Sequence, residues 1–365
     1  MLPVLFTITI PAAWALPTAI GLALLVVVGR TAFALVRARR AGDGVGALAL
    51  LSEDRFVIGI LAATVALLAW RGVLSRDIRL PLHTYGLLIA AAFLVGIALA
   101  QREARRRGQD AERIADLAFW ILVAALAGSR VYFILVNWGD YFGPGNFLVE
   151  TQVFPFPIPK VLAFWEGGYV FYGGFIAAAL TAWWYMRRRG MSFLAHADTM
   201  IPSVAFGHFL GRLGCWGAGC CWGAPAHDHL PWAAHFPPGS AAFDTFRKRA
   251  EAETLLAPGG QTTIGLHPTQ LYESFGELGL FLLLVLWVRP RKAFHGQVLA
   301  SWLMAYAVLR GVVELFRGDV ERGVYLGLGV GAWTSLVIFA VGAAIWVRNR
   351  PRRAPGDAGT EPAAA

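Results

Sequence analysis

Nine apolar stretches of roughly bilayer-spanning length constrain this chain more than any single motif in it. They fall near 13–36, 54–71, 84–100, 114–136, 168–186, 197–213, 271–288, 296–316 and 325–347. About twenty apolar residues at 1.5 Å each cross a hydrocarbon core, and a backbone in lipid has to satisfy its own hydrogen bonds, so such stretches fold as helices. The expected fold is all-α: a polytopic membrane protein with about nine transmembrane helices. Composition points the same way, with 57% hydrophobic residues, 15% charged residues and a mean hydropathy of +0.56, unlike the balance of a soluble domain.

The net charge of +9 raises nucleic acid as a partner, and the placement of the basic residues argues against it. RARR at 37–40, REARRR at 102–107, RRR at 187–189, RPRK at 289–292 and RNRPRR at 348–353 follow the first, third, fifth, seventh and ninth stretches. That alternation is topological. It expects the N-terminus outside, the C-terminus in the cytoplasm and residence in the bacterial cytoplasmic (inner) membrane, with Arg71, Arg76 and Arg79 as a weaker cluster on an outside loop. No basic n-region of a signal peptide precedes the first stretch. Three parts follow: an extension with two helices at 1–76, a membrane domain at 77–347 with an outer-side arm at 224–266, and a basic tail at 348–365 that reads as disordered.

Ionisable groups within spans are costly and are by default hypotheses about function. MAYAVLRGVVELFRGD spaces Tyr306, Arg310 and Glu314 by four, which keeps all three on one stripe of a helix. GHFLGRLGCWGAGCCWG, residues 207–223, sets His208 and Arg212 on one face and then gathers Cys215, Cys220 and Cys221 around Gly219, ending at Gly223. HPTQLYE brings His267, Gln270, Tyr272 and Glu273 to the membrane surface. GSRVYF contributes Arg130, and in GGYVFYGG the pair Gly173 and Gly174 beside Tyr172 lets a backbone or a lipid chain approach closely. Plain alternatives stand beside these readings. Tyr85 suits an interfacial anchor, the glycines suit helix packing, Arg212 can snorkel, and Arg310 with Glu314 can satisfy each other. The three cysteines fit inert buried thiols, a disulfide in an oxidising compartment, a reactive thiol, or a metal site with His208, His227 or His229, although C-x4-C-C lacks the usual paired spacing.

On the expected topology Tyr85, Arg130, Tyr172, Arg212, Glu273, Tyr306, Arg310 and Glu314 all fall in the outer half. Guanidinium forks and phenols around a water-poor chamber suit a phosphate-bearing amphiphile. The residues alone therefore indicate binding or processing of an anionic lipid from the outer leaflet.

YGLL at 85–88, GSRVYF at 128–133, GGYVFYGG at 167–174, GRLG at 211–214, HPTQLYE at 267–273 and YAVLRGVVELFRGD at 306–319 occur in an order that resembles the prolipoprotein diacylglyceryl transferases, over roughly residues 77–347. The resemblance implies transfer of a diacylglyceryl group from phosphatidylglycerol to the cysteine thiol of a lipoprotein precursor, forming a thioether and releasing glycerol 1-phosphate, with no metal or organic cofactor. By the family's pattern Arg212 and Arg310 hold the phosphate, Tyr306 orients the headgroup, Glu314 fixes Arg310, and Tyr172 stands where many members have His. Tyr85 and Gly223 match positions the family uses, and Gly219 lies in the loop between Arg212's helix and Gly223. With Arg130, Gly173, Gly174, His267, Tyr272 and Glu273 they make up the expected substrate-binding set. Cys215 replaces the family's Asn and Cys220 its acidic residue. Two further readings share the site: a lipid-binding homologue without transfer, and a transferase for a different acceptor.

Overall fold

The computed structural model describes residues 4–41, 55–70, 78–143, 147–149, 157–163, 168–226, 230–249, 252–317, 324–325 and 328–350. His227, His229 and the tail beyond 350 lie outside the described residues, as do Arg71 and Arg76. Backbone contacts divide the chain into two compact units, Leu2–Thr84 and Tyr85–Ala365, with Met1 grouped with the latter.

The smaller unit holds α1 (Ala12–Ala41) and α2 (Arg55–Trp70). The chain is mostly helical, and here it adds a two-stranded ribbon that the sequence reading did not expect: strand β1 (Val4–Ile10) pairs antiparallel with β2 (Ile78–His83), with Ile8 opposite Leu80 and Thr7 opposite Pro81. The sequence VLFTITI is rich in β-branched residues, which favour a pleated strand.

The larger unit holds α3 (Thr84–Arg106), α4 (Ala111–Val136), α5 (Phe171–Arg188), α6 (Phe193–Ala218), α7 (Thr269–Leu283), α8 (Gln297–Glu314) and α9 (Val330–Asn349). Long helices thus occupy all nine apolar stretches. By length and composition α3, α4, α7 with its continuation, and α9 qualify as membrane spans among the described residues. Local chemistry sets several ends. Asp110 caps α4 by accepting the Glu112 and Arg113 amides at 3.0 and 3.2 Å, and Gly219 ends α6 in the left-handed region at φ +66°, where a Cβ is disfavoured.

The surface is inverted relative to that of a soluble protein. Leu94, Phe119, Leu126, Phe175, Trp184, Leu286 and Val308 face outward, while Asp198, Gln270, Glu273 and Glu277 are fully buried. A chain whose outer faces meet lipid has this distribution.

Helices pair as α4 with α5, α6 with α7, and α8 with α9. In the first seam Gly128 and Gly173 bring backbones together: a Cβ on Gly173 would collide with Tyr132 and the Gly128 carbonyl, and one on Gly174 would stand 2.9 Å from the Ala125 carbonyl. On α7, Gly276 makes room for the Leu309 side chain of α8, with which a Cβ would collide.

Near the start of α6, Asp198 accepts the Gly296 and Leu299 amides at 2.7 and 3.0 Å and pairs with Lys292 at 2.7 Å. Glu103 pairs with Arg107 at 2.6 Å and with Arg289 at 3.1 Å. Arg289 follows a π-helical turn, Leu284–Val288, that continues α7. A cleft of about 200 Å³ opens beside it, lined by Leu99, Glu103, Pro202, Phe281 and Arg289 among others. This end lies some fourteen residues, about 21 Å at 1.5 Å per residue, from Arg212 along α6.

Candidate active site

Three helices each present a polar ladder with a step of four residues, and the ladders interlock. Helix α6 contributes His208 and Arg212, α7 contributes Glu273 and Glu277, and α8 contributes Trp302, Tyr306, Arg310 and Glu314. Four residues is the spacing that stacks side chains on one helical face, and Gly276 lets α7 come close enough to α8 for the faces to meet.

At the centre, Glu273 Oε1 accepts Arg212 Nη2 at 2.8 Å and the Tyr306 hydroxyl at 3.3 Å. One turn along, Glu277 receives His208 Nδ1 at 2.7 Å on Oε1 and Trp302 Nε1 at 3.2 Å on Oε2. Arg212 Nε donates to His208 Nε2 at 3.4 Å. An arginine donates only, so Nε2 must be the accepting nitrogen and the ring proton sits on Nδ1, facing Glu277. Trp302 stacks on Tyr306 with centroids 5.5 Å apart and 12° between planes, and His208 meets Tyr306 edge-on at 5.4 Å. The cluster is thereby packed as well as hydrogen-bonded.

A turn further along α8, Arg310 Nη2 lies 2.6 Å from Glu314 Oε2. This is a close ion pair outside hydrogen-bond geometry, since Glu314 Oε2 and Arg310 Nη1 both lack a hydrogen-bond partner while buried. The Glu314 carboxylate rests on the start of α9: a Cβ on Gly331 would stand 2.5 Å from both of its oxygens. Glu273 Oε2 is likewise buried and without a partner. The cluster thus keeps one guanidinium nitrogen and two carboxylate oxygens with unused hydrogen-bonding capacity, in surroundings where such groups are costly to leave unsatisfied.

The loop after α6 is pinned to the start of α7. Thr269 Oγ1 donates to the Cys221 carbonyl at 2.9 Å and Gln270 Nε2 to the Cys220 carbonyl at 2.8 Å. Gly223 threads between the carbonyls of His267 and Phe316, each 2.6 Å from where its Cβ would be, and Gly219 is crowded by Ser240 and Phe236 of the arm. The arm has its own core of Ala234, Phe236, Ala242, Phe246 and Leu266, joined by Trp216 and Trp222. His267 and Tyr272 belong to its base, where the Tyr272 hydroxyl takes Trp232 Nε1 at 2.9 Å and meets His267 Nδ1 at 3.2 Å.

Of the residues expected from sequence, Arg212, Glu273 and Tyr306 come into direct contact, with Arg310 and Glu314 next to them on α8. Tyr85 packs on the same end of α6, its ring 3.1 Å from where a Gly214 Cβ would be. Gln270 and Glu273, expected at the membrane surface, are fully buried instead, because α7 is covered by α6 and α8. Arg130 is not joined to the cluster: it donates to the carbonyls of Ala163 at 3.1 Å, Gly168 at 3.3 Å and Lys160 at 3.4 Å, holding the segment between α4 and α5. Gly173 and Gly174 face α4, and Tyr172 lies half-exposed beside Phe171. The residues missed were Glu277, Trp302 and the bond of His208 to Glu277. The signal for them was present, since Glu277 repeats Glu273 at a step of four and Trp302 precedes Tyr306 by the same step.

Comparison with known proteins adds to this geometry. A family model described as prolipoprotein diacylglyceryl transferase matches residues 73–348. The phosphatidylglycerol–prolipoprotein diacylglyceryl transferase of Thermosynechococcus vestitus is 34% identical over 267 residues, covering 72% of this chain and 86% of that protein. The proteins of the same name from Mycobacteroides abscessus and Aromatoleum aromaticum are 31% and 32% identical, covering 78% and 74% of this chain and 79% and 92% of their own lengths. On this likeness, which runs through every helix of the polar ladder, the chain belongs to the prolipoprotein diacylglyceryl transferase family.

Proposed function

We infer that this protein transfers the diacylglyceryl group of phosphatidylglycerol to the cysteine of a lipoprotein precursor. The observation that carries the reading is the unused, buried Nη1 of Arg310 beside a second arginine, Arg212, whose own fork is half occupied by Glu273. Donors left open in a dry site suit an incoming phosphate oxygen.

In the reaction the acceptor sulfur attacks the glyceryl carbon, a C–S bond forms, the C–O bond to phosphate breaks, and glycerol 1-phosphate departs with the electron pair. Charge grows on the leaving phosphate, so Arg310 and Arg212 act most strongly in the transition state. Glu314 and Glu273 fix the two guanidiniums, and Tyr306 offers its hydroxyl to the headgroup from between them. Glu273 Oε2 is open to take the thiol proton, and His208, held by Glu277, keeps Arg212 Nε in register. Tyr85 lines the mouth of the site, with Gly219 and Gly223 shaping the loop over it. The arm at 224–266 covers the outer side. The Arg212 end faces outward and the Glu103–Asp198 end faces the cytoplasm of a bacterial inner membrane, a reading supported by the arginine clusters at the latter end.

The test is transfer by the purified chain in phosphatidylglycerol vesicles to a synthetic lipoprotein peptide, read by mass spectrometry of the thioether product. Product with the parent chain, and its loss in Arg212→Ala and Arg310→Ala at unchanged expression, is expected. A folded chain that retains phosphatidylglycerol yet yields no product overturns the assignment.

A further inference from the structure

The reaction above makes no use of the three cysteines. Cys215 lies in the last turn of α6 and Cys220 and Cys221 in the loop that follows, yet their sulfurs all lie within 4.8 Å of one another, as free and half-buried thiols. Consecutive residues normally send their side chains in different directions, so two adjacent cysteines do not aim at one point unless the backbone turns. Here it does. Cys221 is the one residue other than glycine with positive φ among the described residues, at +60°.

That conformation is held from several sides. Gln270 and Thr269 bind the carbonyls of Cys220 and Cys221 at 2.8 and 2.9 Å, the Cys220 amide donates to the Cys215 carbonyl at 3.1 Å, and Gly219 supplies a left-handed turn just before. A disfavoured backbone conformation fixed by its surroundings marks a functional position. A disulfide needs two sulfurs; convergence of a third calls for a ligand that takes three.

We propose that Cys215, Cys220 and Cys221 form a three-thiolate site for a soft metal ion with a filled d shell, Cu(I) or Zn(II). Metal–sulfur bonds of about 2.3 Å set sulfurs about 4 Å apart in a trigonal arrangement, so the three thiols close on an ion by shifts of less than about 1 Å each. Three sulfurs complete a trigonal Cu(I) site, and Zn(II) adds a fourth ligand such as water. Each thiol releases its proton to solvent as its sulfur–metal bond forms, and no electron changes hands. Thr269 and Gln270 orient the loop without touching the ion.

The experiment uses the full chain purified anaerobically in detergent with reductant. Metal content is measured by mass spectrometry, followed by Cu(I) titration against a competing chelator and by Co(II) substitution as a spectroscopic stand-in for zinc. About one equivalent per chain is expected, lost to background in Cys215→Ser and Cys220→Ser. A sulfur-to-cobalt charge-transfer band identifies zinc chemistry, and Cu(I) retention without that band identifies copper. Cys221→Gly guards against misfolding, since glycine accepts the same φ: it should lose the metal yet unfold at the temperature of the metal-stripped parent chain. Unchanged metal content in Cys221→Gly, a disulfide among these cysteines in the chain taken directly from membranes, or failure of the metals to protect the thiols from alkylation overturns the proposal.

Discussion

Gly331→Ala separates positioning of Arg310 from stability of the fold. A Cβ at Gly331 would stand 2.5 Å from both Glu314 carboxylate oxygens, where ordinary contact begins at 3.4 Å, so the carboxylate must retreat by about 1 Å. The retreating group is the end of a flexible side chain, which relieves the clash at little energy. Alanine in a helix is also favoured over glycine by up to about 1 kcal/mol. Stability should therefore change by less than about 1 kcal/mol, a Tm shift of about 4 °C at most. The ion pair has no such slack: its 2.6 Å separation opens to about 3.5 Å, beyond the range of a charge-assisted contact. At an effective dielectric constant of about 20 the pair loses about 1.6 kcal/mol between those distances, so kcat/KM should fall roughly tenfold. Initial rates of peptide lipidation in phosphatidylglycerol vesicles, with thermal unfolding in parallel, measure both quantities. Adding Glu314→Asp, one methylene shorter, should recover part of the rate by withdrawing the carboxylate from the new methyl group. A parental rate in Gly331→Ala, or a loss of rate matched by a collapse in Tm, would refute the reasoning.

Three further outcomes follow from the same contacts. Glu277→Gln removes the charged acceptor that fixes the His208 tautomer, and lipidation should fall about tenfold, the worth of one charge-assisted hydrogen bond, with co-purified lipid unchanged by mass spectrometry. Gly173→Ala forces apart the α4–α5 seam against Tyr132 and Gly128, and calorimetry should show a loss of about 1–3 kcal/mol; loss of bound lipid at full stability would instead point to a lipid-facing role. Asp198→Asn leaves the half-buried Lys292 ammonium without its counter-charge, at a cost of about 1–3 kcal/mol in denaturant titrations, while the initial rate at low temperature stays parental because Arg212 is about 21 Å away along α6.

The helices were legible because lipid leaves the backbone so few options. The span expected at 197–213 became Phe193–Ala218 only because Gly219, not loss of hydropathy, ends it. The ribbon of β1 and β2 escaped notice because VLFTITI runs without a break into the apolar stretch of α1, and its partner lies about seventy residues on. Within the site, charge inside a span was the signal the sequence offered. It singled out Arg212, Arg310 and Glu314, whose burial carries a large desolvation cost unless they are paired, whereas Glu273 was expected at the membrane surface and its burial came from the cover of α6 and α8. Type and depth do not say which partner a buried group finds. Arg130 has the same chemistry as Arg212 and the same expected depth, yet a neighbouring segment offers it three carbonyls and it spends its donors there.

The cysteines show the same limit in a sharper form. C-x4-C-C has no recognisable ligand spacing, since spacing motifs presume regular backbone between the ligands. What brings Cys220 and Cys221 to one point is a left-handed residue at 221, held by Thr269 and Gln270 from the start of α7, about fifty residues further along. HPTQLYE therefore has two structural duties. Its Glu273 steadies Arg212 in the polar ladder, and its first helical turn fixes the thiol loop that begins at Gly219, seven residues after Arg212. A substitution at Gln270 should accordingly disturb thiol geometry before it disturbs Arg212, because its amide reaches only the Cys220 carbonyl. Alkylation rates of the three cysteines in Gln270→Leu, compared with lipidation by the same chain, will show whether the loop and the ladder are separable; a proportional loss of both would mean that they are one unit.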